Sequence, residues 1–194
     1  MVFILLAFVA CQPSDPGAQT ASPLTLALDD PQVVWQNETL GIRTGIEFVP
    51  SMAVSEALSH GVAVTLVVET RIHPWRGWLA SQQQTRNHRF EIRYLPLSEH
   101  YQLTALKTGI TATYPRLRLL LADLSEARWL DTHLSADKLG DKVWQVQARV
   151  AIDKERMPAP MQVSVWTDEQ WQTTSSWWTW EVSSADGQGM GRDD

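Results

Sequence analysis

The chain has 194 residues, 44% of them hydrophobic and 20% charged, which is the profile of one ordinary globular domain rather than a disordered, collagenous or multi-span membrane chain. A formal net charge of -6 and a pI near 5.3 argue against a nucleic-acid partner, and a single Cys excludes an internal disulfide and a cysteine-built zinc site. Ten tryptophans are several times ordinary usage, so the question is which of them fill a core and which recognise something.

Residues Met1 to Ala10 are uniformly apolar, and Cys11 is followed by the polar, turn-rich stretch Gln12 to Ser22. Ten apolar residues are too few to span a bilayer core, which takes about 20, but they match the hydrophobic part of a secretory signal. Phe8-Val9-Ala10-Cys11 resembles a bacterial lipobox, although Phe8 stands where that pattern has Leu and no Lys or Arg precedes it. The expectation is therefore an exported, periplasmic protein with Cys11 as the lipid-attachment residue, Gln12 pointing to the outer membrane. The alternative is a plain cleaved signal with Cys11 in its tail. The segments read as 1–11 signal, 12–23 linker, 24–182 a single β-rich domain, and 183–194 a disordered tail without bulky apolar residues except Met190.

Within the domain the dominant pattern is period two, the signature of strands with one buried face. Ile42, Ile46 and Phe48 alternate with Arg43 and Glu47, followed by Val62, Val64, Leu66 and Val68. Phe90, Ile92 and Tyr94 alternate with Arg89, Glu91 and Arg93, and Tyr101, Leu103 and Ala105 with Gln102 and Thr104. Trp144, Val146, Ala148, Val150 and Ile152 follow, then Met161, Val163 and Val165, and last Trp178, Trp180 and Val182. Two short helices interrupt these strands. Ser51 caps one, with Val54 and Leu58 on one face and Gly61 as its stop; Pro115 opens the other, with Tyr114, Leu117, Leu120, Leu121 and Leu124 as its apolar stripe. The fold class is mainly β (α+β): an antiparallel β-sandwich or bent sheet of seven or more strands with two short helices.

Four stretches carry a resemblance: Ile46 to Glu69, the tryptophan turn His73 to Trp78, the paired strands Arg89 to Leu106, and Ser175 to Val182. Together they resemble a proteobacterial family of exported proteins classed as a domain of unknown function, often encoded beside a nitrogen-regulation type sensor kinase and response regulator. The resemblance implies compartment and architecture, and it brings no catalytic residues with it.

Enzyme motifs are absent from the sequence: there is no G-x-S-x-G, no G-x-x-x-x-G-K, no G-x-G-x-x-G and no H-E-x-x-H. The five His are dispersed, mostly at expected turns. Asp131 and His133 could share one face of a strand, but no third metal ligand is nominated, so both read as solvated polar residues. Asp168-Glu169, between Trp166 and Trp171, reads as a turn, because adjacent strand residues point to opposite faces. No cofactor, no metal and no catalytic residue is expected.

Residues 71–93 depart from this blandness. They hold five Arg and one acid, a charge of +4, against 11 basic and 21 acidic residues elsewhere, or -10. His73-Pro74-Trp75-Arg76-Gly77-Trp78 reads as a tight loop whose two Trp a turn cannot easily bury. Arg71, His73, Trp75, Arg76, Trp78, Arg89 and Arg93 are the candidate binding residues, since indole and guanidinium are common interface anchors. The competing structural reading folds Trp75 and Trp78 back onto the sheet and spends the Arg on cross-strand pairs. Trp178 and Trp180 are expected in the core with Trp144. The functional expectation is a non-enzymatic exported interaction protein, with an envelope protein such as a sensor kinase as partner; the alternative is a glycan- or lipid-headgroup-binding module using exposed Trp.

Overall fold

The computed structural model describes residues 23–75, 83–140, 142–158, 171 and 174–183. Nine strands and three α-helices are formed by these residues. β1 (Thr25–Gln36), β2 (Thr39–Val49) and β7 (Arg128–Ser135) form a three-stranded sheet in the order β1-β2-β7. β3 (Val64–Pro74), β4 (Gln84–Leu95), β5 (His100–Ala105), β6 (Ile110–Tyr114), β8 (Trp144–Ile152) and β9 (Trp178–Val182) form a second sheet in the order β6-β5-β4-β3-β8-β9. Every pairing is antiparallel, and the two sheets share one apolar core, as expected for a sandwich.

The chain changes sheet through helices. α1 (Met52–Ser59) leads from β2 to β3, α2 (Leu117–Ser125) from β6 to β7, and α3 (Ala136–Leu139) from β7 to β8. α1 is built as its sequence indicates: the Ser51 hydroxyl accepts from the Val54 amide at 3.3 Å, Val54 and Leu58 are fully buried, and Gly61 takes φ +81° to end the turn. In α2 Leu120 and Leu124 are buried, while Leu117 and Leu121 pack partly against the core. Pro115 stands before the cap residue Arg116 instead of opening the helix, and Tyr114 belongs to β6. The four-residue α3 carries only one buried apolar residue, Leu139, which is why no helical stripe announces it.

Three strands were not legible as alternation. In β1, Asp29 pairs with Gly45 but Gln32 pairs with Arg43, so one extra residue is accommodated around Asp30, which has φ +39°. This bulge shifts the buried positions from Leu24, Leu26 and Leu28 to Val33, and Pro31 within it reads as a turn. β7 is bulged as well: Leu40 pairs with Leu134 while Gly41 pairs with Asp131, and His133 has φ +59°. There the buried Thr132 hydroxyl donates to the Leu40 carbonyl, satisfying an acceptor where the ladder breaks. β6, Ile-Thr-Ala-Thr-Tyr, is short and mostly exposed, so it has no buried alternation to show.

The inner faces follow the sequence pattern. Val64, Leu66, Val68 and Ile72 of β3 meet Ile42, Ile46 and Leu134 in the same core. Trp144 and Trp180 are buried as expected, and Trp178 is half-buried and stacked on Trp180 with centroids 6.2 Å apart. Trp171 is buried too. The strand expected around Met161, Val163 and Val165, the Asp168-Glu169 turn and the two terminal segments lie outside the described residues.

α2 packs on β2, and the contact depends on Gly45. A Cβ there would lie 1.9 Å from the Ser125 carbonyl oxygen, a backbone atom that cannot swing away. Gly45→Ala is expected to lower stability by roughly 1–3 kcal/mol in denaturant titrations, as overpacking does. Trp180→Ala should cost about 3–5 kcal/mol. Truncation before Ser175 removes β9 from Trp144, Val146 and Ala148, and calorimetry should then show no cooperative transition.

Candidate functional site

The 71–93 segment is a hairpin formed by β3 and β4, paired from Val64 with Ile92 to Ile72 with Gln84. β5 joins β4 only from Phe90 onward, where Phe90 pairs with Ala105. Among the described residues the stretch Gln84 to Asn87 therefore runs as an arm paired on one side only, and all four residues are exposed. β8 follows β3 to its end, where Pro74 pairs with Trp144 and the Trp75 amide donates to the Val143 carbonyl at 2.8 Å. Trp75 is thereby held just past the end of β3, where the chain leaves for β4, with half of its surface (50%) in solvent.

The candidate residues separate on this frame. Arg71 lies on the outer face of the sheet, with Nε and Nη2 donating to one oxygen of Glu69 at 2.9 and 2.7 Å. Arg89 donates from Nε to Asp153 at 2.7 Å, and Arg93 from Nη2 to Glu91 at 3.0 Å. His73 lies on β3 with Nδ1 3.3 Å from the Pro74 carbonyl oxygen. Arg76 and Trp78 lie outside the described residues. Three of the five Arg in 71–93 are thus matched, by Glu69 just before the segment, by Glu91 within it and by Asp153 far along the chain. Arg86, on the one-sided arm, is exposed and has no acidic partner among the described residues.

A cluster that sequence reading missed sits beside the hairpin. Glu69 pairs with Arg149 across the β3–β8 ladder, and Arg149 donates from Nε and Nη2 to the second Glu69 oxygen at 3.0 and 2.7 Å. One carboxylate thus joins two guanidinium groups. The Trp177 ring lies over both, 4.3 Å from the Arg71 and 4.4 Å from the Arg149 guanidinium carbon. Its place follows from the residues before it: the Ser175 amide and hydroxyl bond the Val150 carbonyl and amide, fixing the chain alongside β8 ahead of β9. Burial pushes the Glu69 carboxyl up, but the bonds and charges of Arg149 and Arg71 outweigh it and hold the pKa below 4.5.

On the inner side, a cleft of about 490 Å³ opens where β4, β5 and β6 reach past β7 and α2. Phe90, Leu103, Ala105, Ile110, Ala112 and Leu130 give it an apolar lining. Its charged groups are paired: Lys107 Nζ lies 3.4 Å from Asp131, and Arg128 donates to Asp123 at 3.1 Å while standing over the Phe90 ring. His88 is buried in the middle of β4, with Nε2 3.0 Å from the Asp131 carbonyl oxygen. Burial and the neighbouring Lys107 charge lower its pKa from 6.5. His133 Nδ1 lies 2.8 Å from Asp131, and among the described residues no three His, Cys, Asp or Glu are grouped to hold a metal ion.

Both sheets lie almost wholly within one matched span, since the family model for DUF4390 covers residues 25–181 and β1 to β9 run from Thr25 to Val182. The chain belongs to this family, a domain of unknown function. No curated protein and no solved structure matches it.

Two groups make stability depend on pH in the same direction. Below about 6.5 the unfolded chain takes a proton at His88 that the folded one refuses, and stability falls until pH passes the depressed folded value. Glu69 contributes above 4.5 and loses its contribution as pH falls through its own lowered value. Melting curves against pH should show both limbs. His88→Gln should flatten the first and Glu69→Gln the second.

Proposed function

We propose that this protein is a non-enzymatic exported interaction protein that presents the Trp75 end of the β3–β4 hairpin to an envelope protein. The observation that carries the reading is Trp75, a large indole held half in solvent by a backbone bond to Val143. Exposed Trp and Arg are common anchors of protein interfaces, and Arg86, opposite Thr70 further along the arm, is exposed with no acidic partner among the described residues. Arg71, Arg89 and Arg93, already engaged by Glu69, Asp153 and Glu91, are left out of the contact in this reading; Trp75 makes it, with Arg86 further along the arm. The apolar run ahead of Cys11 supports export to the periplasm, with a lipid on that Cys as the anchor. An envelope sensor kinase is the first partner to try, from the gene neighbourhood of the family the sequence resembles.

A photo-crosslinking residue at position 86 should trap one envelope protein in cells, and Trp75→Ala should abolish that product while the melting temperature stays the same. Crosslinks to lipid alone, or retention on liposomes or peptidoglycan without any protein product, would replace this reading with a headgroup- or glycan-binding module. Palmitate labelling should be lost in Cys11→Ser.

A further inference from the structure

The edges of the two sheets are not equally guarded. Exposed strand edges offer unpaired N–H and C=O groups, and proteins blunt them with charge, proline or bulges. β1 carries Asp29, Asp30, Pro31 and a bulge; β7 carries Asp131, His133 and a bulge; β9 carries the exposed Glu181; the free arm of β4 carries Arg86. β6 has none of these. Ile110, Thr111, Ala112, Thr113 and Tyr114 pair with β5 along one side, with regular register and no charged residue. Among the described residues nothing pairs with the other side.

Beneath this edge lies the apolar cleft. Ile110 and Ala112, alternate residues of β6, both line it, and Ile110 is 70% exposed. A strand added beside β6 would continue the pleat and direct every second side chain over the same cleft. We propose that β6 accepts an extended peptide segment of a partner protein as a seventh strand of the larger sheet, with alternate apolar side chains of the peptide filling the cleft. This surface is distinct from Trp75 and does not rest on the reading of the hairpin.

The size of the edge and the charge of the cleft choose this occupant. A second copy joined through five residues of β6 would bury far less than the roughly 800 Å² per partner of a stable interface. A free strand instead gains both the backbone ladder and a cleft of about 490 Å³ that takes side chains. Lys107 and Arg128 are committed to Asp131 and Asp123, so the cleft favours uncharged apolar groups over an acidic segment.

The test uses short blocked peptides in which threonine alternates with valine, leucine or phenylalanine, added to the full chain and followed by fluorescence anisotropy and amide hydrogen exchange. Binding should slow exchange within residues 110–114. Ala112→Glu, a charge on an exposed position of the cleft side, should weaken binding by roughly tenfold or more with no change in melting temperature. Thr113→Glu, on the opposite face, should stay within about threefold of wild type. Peptides N-methylated at alternate amides should not bind. The proposal is overturned if no peptide protects β6, if the N-methylated peptides bind equally well, or if sedimentation shows that a second copy already occupies the edge.

Discussion

The register of β3 between β4 and β8 is the constraint on which the rest of the molecule depends. One face of this strand puts Val64, Leu66, Val68 and Ile72 into the core with almost no exposure, and the other face puts Glu69 opposite Arg149. A slip of one residue would exchange these faces, exposing the apolar row and burying a carboxylate. The Glu69 carboxylate adds specificity to that register more than strength, because partly exposed ion pairs contribute little individually. Its two guanidinium partners also form the floor on which Trp177 rests, so the C-terminal strand is aligned by the same residue.

A six-stranded sheet cannot be covered by a three-stranded one. The structure meets this mismatch with helices at the crossovers, α2 lying on β2 close enough that Gly45 has no room for a side chain. Among the described residues the cover is incomplete over β5 and β6, and the apolar cleft is the consequence. The hairpin arm has a parallel origin: β4 continues past the end of β5, so among the described residues Gln84 to Asn87 have no second neighbouring strand and are exposed.

The tryptophans divide by the same geometry. Trp144, Trp171 and Trp180 fill the core, Trp178 stacks at its margin, and Trp177 caps an ion-pair cluster on the outer face. Trp129 lies against Gly41, whose missing side chain makes its place. Trp75 has no such structural task among the described residues apart from its backbone bond, and half of its surface meets solvent.

Sequence by itself determined the mainly-β antiparallel class, the buried faces of β2, β3, β4, β5, β8 and β9, and the caps of α1, because each is written in local periodicity or in one residue's own hydrogen bonds, while the choice of two sheets over one bent sheet came from the tertiary structure. Bulges hid β1 and β7 by shifting or interrupting the pairing, and β6 had no buried face to reveal it. Only the tertiary structure decided which charges are free. Arg89 looks available within 71–93, but its acid, Asp153, comes from a residue 64 positions distant, whereas Glu69, the partner of Arg71, stands two residues before it on the same face of β3. The same holds for the cleft, since its walls are contributed by strands and a loop that meet only when the two sheets pack.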